Sequence, residues 1–182
     1  MENFVRCSRC IIPGSLAAVT FDENGVCNHC RKYDEDFKDW DLIRERKERE
    51  FASILEKAKR MKRPYDCLVP LSGGKDSTYA LYLCTKVYKL KTLAVSLDNG
   101  YLSNPAKENI KNALAACNAD HIYYTISRQD SSELFRVFTE KTGDFCNACM
   151  RGINYAIELA ASQFLTTVII KGSLRRVQYV SQ

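Results

Sequence analysis

Six consecutive residues of the chain combine the groups that a phosphate-binding loop needs. They are Ser72, Gly73, Gly74, Lys75, Asp76 and Ser77, in the sequence SGGKDS. The two glycines let the backbone approach a ligand closely, and free N–H groups at the start of a following helix attract negative charge. Ser72 and Ser77 offer hydroxyl donors, and Lys75 offers a positive charge. The segment predicts a phosphate site, with an ordinary glycine turn and helix cap as the alternative.

Asp76 is the unusual member of this loop, because a carboxylate repels phosphate. It fits if it shares a Mg²⁺ with the phosphates or caps the helix. The spacing also differs from the common G-x-x-x-x-G-K-[ST] pattern. A second carboxylate, Asp98, stands at the end of a predicted strand in the sequence VSLDNG. Asp98 lies beside the loop if the two strands that precede these segments are neighbours.

Six of the nine cysteines form three C-x-x-C pairs. The first two pairs, Cys7/Cys10 and Cys27/Cys30, are separated by sixteen residues, a pattern typical of a four-thiolate Zn²⁺ site. A redox or iron–sulfur role and unliganded thiols are the alternatives. The other three cysteines, Cys67, Cys84 and Cys117, lie among apolar residues and are expected in the core.

The third pair, Cys146/Cys149, precedes an apolar helical stripe in GDFCNACMRGINYA. Both thiols are therefore expected near the N-terminus of a helix, where the helix dipole lowers thiol pKa values. Arg151 would add to that effect. Three interpretations stay open: a sulfur-transfer pair, half of a metal site completed by another group, and two structural thiols.

Apolar runs and helical stripes alternate from residue 65 onward. Buried strands are predicted at 66–71, 92–97, 121–126 and 166–170, with helices between them. This order indicates an α/β fold with a doubly wound parallel sheet, in which 166–170 lies next to the first strand. Ligands bind such sheets at the carboxyl ends of the strands, and SGGKDS directly follows the first strand.

Three segments are predicted along the chain: a cysteine-rich zinc module at 1–36, an amphipathic linking helix at 37–64, and an ATP-binding domain at 65–182. The helix prediction rests on an apolar stripe of Phe51, Ile54, Leu55, Ala58 and Met61. The 182 residues lack an apolar run long enough to cross a bilayer and a signal peptide, which favours a cytoplasmic protein. The net charge of +5 is too modest to require nucleic acid as a partner.

The loop SGGKDS resembles the PP-loop of the N-type ATP pyrophosphatases, whose pattern is SGG-x-DS. The resemblance implies an adenine nucleotide alpha hydrolase-like fold, and an enzyme that splits ATP into AMP and pyrophosphate. It carries the six loop residues over position by position to the pyrophosphate of ATP, with Lys75 and Asp76 as the catalytic pair. It also places Asp98 where the superfamily binds the nucleotide or its Mg²⁺.

The combination of CSRCIIPGSLAAVTFDENGVCNHCRKYDE, SGGKDS and DNGYLSNPAKENI resembles the N-acetyl sugar amidotransferases, from Cys7 to about Gly172. These enzymes act in surface-polysaccharide, lipopolysaccharide and flagellar-glycan biosynthesis. The resemblance implies that ATP activates a sugar's acetamido group and that ammonia from a partner glutaminase converts it to an acetamidino group. It implies ATP, Mg²⁺ and Zn²⁺ as cofactors, a small-molecule sugar substrate, and neither a membrane nor nucleic acid as a partner.

Two alternatives to this function remain. A PP-loop tRNA-thiolating enzyme also combines SGG-x-DS, zinc-type knuckles and a central C-x-x-C, and would need Cys146 or Cys149 for sulfur transfer. A truncated ATP- and zinc-binding remnant is the other. Members of the resembling family are about twice as long as this chain, and the segment TTVIIKGSLRRVQYVSQ does not match their continuation, so a C-terminal truncation is expected.

Overall fold

The structure, a computed structural model, describes residues 5–172. The chain divides into two compact units, Met1–Ala52 and Ser53–Gln182. The boundary falls inside the long helix α2 (Trp40–Arg60), which covers most of the predicted linking helix. The division into 1–36, 37–64 and 65–182 stays a prediction, and the predicted tail mismatch after Gly172 lies outside the described residues.

The first unit is built around cysteines rather than around large apolar side chains. Its buried residues include Cys7, Cys27 and Cys30, against which Phe21 and other partly buried apolar residues pack. Two isolated antiparallel bridges, one of them between Phe21 and Cys27, hold the segment before helix α1 (Asn28–Asp36). So little apolar burial is typical of a small module that a metal stabilises.

The second unit contains a parallel sheet with helices between and after its strands, which confirms the predicted α/β class. The strands are β1 (Cys67–Pro70), β2 (Thr92–Asp98) and β3 (Asp120–Thr125), in the order β1-β2-β3. The helices are α3 (Lys75–Tyr82), α4 (Asn104–Cys117), α5 (Arg128–Thr142) and α6 (Cys146–Gln163). A π-helical turn, Leu83–Val87, extends α3.

The helices form two groups about the sheet. Helices α3 and α4 contact each other, and α3 also packs on β1, whereas α6 packs on β1, β2 and α5. The core between α6 and the sheet contains Leu68, Leu93, Val95, Ile157 and Ala160. This packing buries the apolar stripe that the sequence predicts for α6. The cysteines expected in the core, Cys67, Cys84 and Cys117, are all buried.

Capping residues explain where two of the helices begin and end. Ser103 starts α4 by accepting a hydrogen bond from the N–H of Ala106, and Asn118 ends it in the left-handed conformation. Ser127 starts α5 by accepting from the N–H of Asp130, and Gly143 ends it with a φ of 71°. Each cap is a local sequence signal, and together they fix the lengths of the loops at the sheet edge.

Segment 166–170 lies next to β1 as expected, but the prediction of a full strand there is wrong. It makes a single parallel bridge, between Ile169 and Leu68. Two hydrogen bonds form it: the N–H of Leu68 donates to Val168, and the N–H of Ile170 donates to Leu68, both at 2.9 Å.

The prediction that 121–126 forms a buried strand is also wrong as regards burial. Within the described part of the chain β3 pairs on one side only, with β2. Its residues alternate between exposed and half-buried, and Tyr123 is 39% exposed. The apolar run therefore forms an edge strand that is covered on one face only.

The apolar stripe of α2 is narrower than predicted. Leu55 and Ala58 are buried, whereas Ile54 and Met61 are about half exposed. Ion pairs such as Arg44–Glu48 lie on its solvated face. Among residues 5–172, no helix is both long enough and apolar enough to cross a bilayer.

Candidate functional site

The SGGKDS loop leaves the carboxyl end of β1 and closes on the hydroxyl of Ser77. The Oγ atom of Ser77 accepts a hydrogen bond from the N–H of Ser72 at 3.2 Å and donates to the carbonyl of Gly74 at 3.0 Å. The two serine hydroxyls lie 3.1 Å apart. Because Ser77 is buried and its proton is directed at Gly74, it shapes the loop in this structure, while the Ser72 hydroxyl is exposed.

Gly73 brings the loop against the backbone of α4. It has a φ of 77°, and a Cβ atom at this position would lie 2.4 Å from the carbonyl oxygen of Ala106. The side-chain amide of Asn109, one turn further along α4, donates to the carbonyl of Gly73 at 3.1 Å. Glycine is therefore required here for both conformation and space.

The N-terminus of α3 opens towards the loop without a side-chain cap. Gly74 is the N-cap residue, and because it has no side chain it makes no side-chain capping bond to the first-turn amides. The first-turn amides of Lys75, Asp76 and Ser77 have no acceptor within the helix, which makes this end a favourable place for an anion. Lys75 is exposed and Asp76 is half-buried. This arrangement agrees with the predicted phosphate site.

Asp98 ends β2, the strand paired with β1, but its carboxylate already has partners. Lys107 Nζ of α4 lies 2.9 Å from one oxygen. The N–H of Gly100 donates to the other oxygen at 2.8 Å, and the hydroxyl of Tyr123 donates at 3.3 Å to the oxygen that Lys107 contacts. Lys107, with the Gly100 amide and Tyr123, holds the pKa of Asp98 below its ordinary value against the effect of burial. Asp98 is thus an ionised carboxylate tied to α4, and its role in nucleotide or Mg²⁺ binding stays a prediction.

A hydrogen-bonded chain across all three strands ends at the residue before the loop. The hydroxyl of Ser96 on β2 donates to the carbonyl of Leu71 at 2.6 Å, and His121 Nε2 on β3 lies 2.9 Å from the same hydroxyl. Since Ser96 uses its proton on Leu71, His121 donates from Nε2. Burial lowers the pKa of His121. No sequence spacing indicated this chain or the contact of Asn109, because the partners are far apart along the chain.

The third cysteine pair lies where it was predicted, in the first turn of α6. The amide of Asn99, directly after Asp98, donates to Cys149 Sγ at 3.5 Å. Cys149 is half-buried and Cys146 is exposed. The prediction of a lowered thiol pKa is wrong for Cys149: burial raises it, and this outweighs the opposite effect of the Asn99 amide. The pair's role stays open among the three interpretations.

The first two cysteine pairs come together as the sequence predicts. The four sulfur atoms of Cys7, Cys10, Cys27 and Cys30 all lie within 4.8 Å of one another. The Sγ–Sγ distances are 3.9 Å for Cys7–Cys30 and 3.6 Å for Cys10–Cys27. A tetrahedral Zn²⁺ with Zn–S bonds of about 2.3 Å separates its sulfurs by about 3.8 Å. The cluster can therefore hold Zn²⁺.

Backbone N–H groups favour the thiolate form of Cys7, which is the form that binds a metal. Burial alone would raise its pKa, but the N–H groups of Cys10, Cys27 and Arg9 point at the sulfur and lower the pKa to about 6. Burial and the neighbouring thiols instead raise the pKa of Cys30 to about 12. Cys7 and Cys30 thus differ in their tendency to ionise, and a bound cation would favour the thiolate of Cys30.

Comparisons with known proteins support the fold and leave the family open. No protein-family model matches the chain. An uncharacterized protein of Methanocaldococcus jannaschii, MJ1599, is 30% identical over 151 residues, which make up 81% of this chain and 51% of that protein. The chain therefore spans about half the length of this curated relative.

Two solved structures match part of the chain. An NH3-dependent NAD synthetase from Campylobacter jejuni, in complex with nitrate, has a TM-score of 0.51 and 20% identity over 69% of this chain and 54% of its own. An NMN synthetase from Francisella tularensis has a TM-score of 0.48 and 19% identity over 66% of this chain and 50% of its own. The first likeness shows that the second unit shares the α/β fold of that synthetase.

Proposed function

We propose that the chain carries the ATP site of an amidotransferase that splits ATP into AMP and pyrophosphate and converts a sugar's acetamido group to an acetamidino group. The observation that carries the proposal is the SGGKDS loop, which Ser77 closes after β1 and which faces the uncapped N-terminus of α3. The similarity in fold to a synthetase named as NH3-dependent supports ammonia as the nucleophile.

The reaction proceeds in two balanced steps. The amide oxygen attacks the α-phosphorus of ATP, the bond to pyrophosphate breaks, and the amide N–H proton is lost, which leaves an O-adenylyl imidate. Ammonia then adds to the imidate carbon, and the C–O bond breaks to release AMP. The ammonia proton that is lost goes to solvent or stays on the basic amidine product. A partner glutaminase supplies the ammonia in this proposal.

The chain's own groups act mainly on the leaving pyrophosphate. Lys75 and the first amides of α3 stabilise the negative charge that develops on it. Asp76 would hold Mg²⁺, which neutralises phosphate charge, and Asp98 would join it only by exchanging Lys107 for the ion. The cysteine cluster of the first unit would hold Zn²⁺ in a structural role, since four thiolates leave no open coordination position.

A direct assay tests the proposal. The protein is incubated with ATP, Mg²⁺, ammonia and UDP- or CMP-linked N-acetyl sugars, and AMP and pyrophosphate are measured with and without each sugar. AMP that forms only with a sugar supports the amidotransferase. The absence of AMP with every sugar, despite ATP binding, would instead favour a remnant that binds ATP and zinc.

Variants of the loop locate the chemistry. Removing a charge that stabilises the leaving group costs on the order of 100-fold in rate, so we expect that loss of pyrophosphate release for Lys75→Ala and Asp76→Ala. Lys86→Ala, in the exposed π-helical turn at the other end of the helix, is the matched control and should keep the full rate. Unchanged rates in both loop variants would refute the assignment of the loop.

One observation favours a second candidate, a tRNA-thiolating enzyme. Cys149 contacts Asn99 directly after β2, at the sheet edge where the loop also lies. Thiolation predicts AMP release that needs tRNA and a sulfur donor, and its loss in Cys149→Ser. The amidotransferase predicts sugar-dependent AMP release that survives Cys149→Ser.

A further inference from the structure

Two adjoining cavities lie between α5 and α6, at the carboxyl edge of the sheet. The outer one has a volume of about 730 Å³ and the inner one about 240 Å³. Asn99, Phe135 and Cys149 line both, so the two form one continuous groove. The loop residues act on the nucleotide and use neither cavity, which leaves the groove available for a second ligand.

The outer cavity is walled by aromatic rings. The ring centroids of Tyr101 and Phe135 are 5.5 Å apart, and those of Phe135 and Phe145 are 6.0 Å apart. Phe145 is 55% exposed although it stands directly before α6. Exposed ring faces bind flat, partly apolar surfaces, such as the face of a pyranose.

The inner cavity holds a polar atom that lacks a partner. Ser131 of α5 is only 2% exposed, and its hydroxyl has no hydrogen-bond partner within the described part of the chain. The hydroxyl stands among apolar side chains that include Leu97 and Phe138, and the amide of Asn99 lies in the same lining. A buried polar group without a partner costs free energy, and a ligand that bonds to it removes that cost.

The composition of the inner cavity fits an acetamido group. Such a group combines one methyl, which suits the apolar wall, with one carbonyl and one N–H, which match the hydroxyl of Ser131 and the amide of Asn99. These polar groups are few, and each can both orient the ligand and discriminate against a ligand that lacks the amide.

The groove also lies beside the nucleotide site. Asn99 follows β2 by one residue, the SGGKDS loop follows β1, and the two strands pair in parallel. Paired strands are about 4.8 Å apart, so Asn99 and the loop leave neighbouring strands at the same edge of the sheet. An acetamido group there can present its oxygen to the α-phosphate.

We propose that this groove is the acceptor site: the outer aromatic wall binds a pyranose ring, and the inner cavity binds its acetamido group through Ser131 and Asn99. The inference rests on the proposed function, because it names where that reaction's sugar binds. Discrimination for the acetamido group arises in the inner cavity, and affinity for the ring arises at Phe145.

Binding without ATP tests the groove directly. Calorimetry measures the affinity of the full chain for UDP-N-acetylglucosamine and for UDP-glucose, which lacks the amide. Two hydrogen bonds of ordinary strength predict a preference of about tenfold or more for the first ligand. Ser131→Ala should reduce that preference about fivefold. Phe145→Ala should lower the affinity for both ligands about tenfold.

Three features keep the variants interpretable. Ser131→Ala removes an unpartnered hydroxyl from a helix, so its melting temperature should not fall. Val87→Ala, an exposed apolar residue of the π-helical turn, is the control for Phe145 and should leave both affinities unchanged. UDP-N-acetylglucosamine should also slow the alkylation of Cys149 by iodoacetamide, and Cys146, which lines neither cavity, serves as the internal reference.

The outcomes separate this inference from the proposed function. One outcome is AMP release that depends on sugar and yet is unaffected by both Ser131→Ala and Phe145→Ala. That result would overturn the assignment of the groove as the acceptor site and leave the proposed amidotransferase reaction intact. Binding with the expected preference, but without AMP release in the presence of ammonia, would uphold the groove and overturn the reaction. No binding, or equal binding of the two ligands, would overturn the groove.

Discussion

Gly73 combines a positive φ of 77° with contact to the backbone of α4. Either property alone would favour glycine, but each would cost a different amount of free energy if a residue with a Cβ atom replaced Gly73. The left-handed conformation costs an L-residue about 1–2 kcal/mol, whereas a Cβ atom 2.4 Å from the Ala106 carbonyl cannot be accommodated unless the loop or the helix moves. The contact therefore links the shape of the loop to α4.

We predict that Gly73→Ala reduces ATP affinity at least about tenfold, because displacing the loop removes several backbone contacts to phosphate. Gly143→Ala is the matched control. Gly143 has a φ of 71°, and no described atom lies within 4 Å of the position of its missing Cβ. It should lower the melting temperature through the conformational cost alone and leave ATP affinity unchanged. Equal ATP affinity in both variants would contradict the role of the Ala106 contact.

The chemistry of a group of residues could be predicted where those residues lie close together in the sequence. SGGKDS and the two N-terminal C-x-x-C pairs combine within a few positions the groups that are expected to act together. The structure brings the four cysteine sulfurs together and places SGGKDS between β1 and α3. Asn109 and the Ser96–His121 chain were not predictable, because their partners are about 25 or more positions away. The pKa of Cys149 was predicted in the wrong direction because burial, a property of the fold, raises it and outweighs the effect of the Asn99 amide.

At the scale of elements, the ion pair between Asp98 and Lys107 joins the end of β2 to α4. The Asp98 side chain is 13% exposed and that of Lys107 is 47% exposed, so solvent screens the pair and keeps its contribution to stability small. The same helix supports Gly73 through Asn109. Helix α4 thus positions both carboxyl-end segments, the one after β1 and the one after β2.

We predict that Lys107→Met slightly lowers the urea midpoint of unfolding at pH 7, because a solvent-screened ion pair contributes little to stability. Because Lys107 lowers the folded-state pKa of Asp98 below the ordinary 3.8, this stabilisation is complete above pH 3.8 and is lost as the pH falls through the folded-state value. Urea denaturation at pH 7 and at pH 2.5 measures the difference. Lys111→Met, one turn further along α4, is the control, and a destabilisation that is the same at both pH values would refute the pairing.

Element positions were predictable from apolar runs, since each predicted strand between 66 and 126 overlaps an observed one. Their burial was not, because burial depends on which neighbours a strand acquires. The run at 121–126 forms an edge, and the run at 166–170 has only the short β1 to pair with. The same holds for the apolar stripe of α2: the helix was predicted correctly, but the burial of Ile54 and Met61 was not, because both are exposed.

At the scale of the whole molecule, the two compact units concentrate different chemistry. The sulfur cluster lies in Met1–Ala52, and the loop, Asp98 and the acceptor groove all lie in Ser53–Gln182. The first unit has few buried large side chains, so a metal would supply much of its stability. The sheet of the second unit has its own apolar core.

We predict about one Zn²⁺ per chain, lost in the double variant Cys7→Ser/Cys27→Ser. Hydrogen exchange should then increase at amides of the first unit, such as those of Ser8 and Asn28, which bond to backbone carbonyls there. Amides of β2 should keep their protection, and ATP affinity should stay within about twofold, since both units fold on their own cores. Zinc content that does not change in the double variant would refute the cluster.

The contact between Gly172 and the first turn of α3 forms late in the synthesis of the chain. A Cβ atom there would lie 2.2 Å from the carbonyl oxygen of Asp76, so the segment that returns after α6 presses on the first turn of α3. These residues are about a hundred positions apart, and closing so long a span is slow because its entropy is lost before the contact forms. On the ribosome β1, the glycines and α3 emerge early, but this contact on the first turn of α3 forms only after Gly172 has been made. The nascent chain therefore forms this packing after the three strands and α6 have been translated.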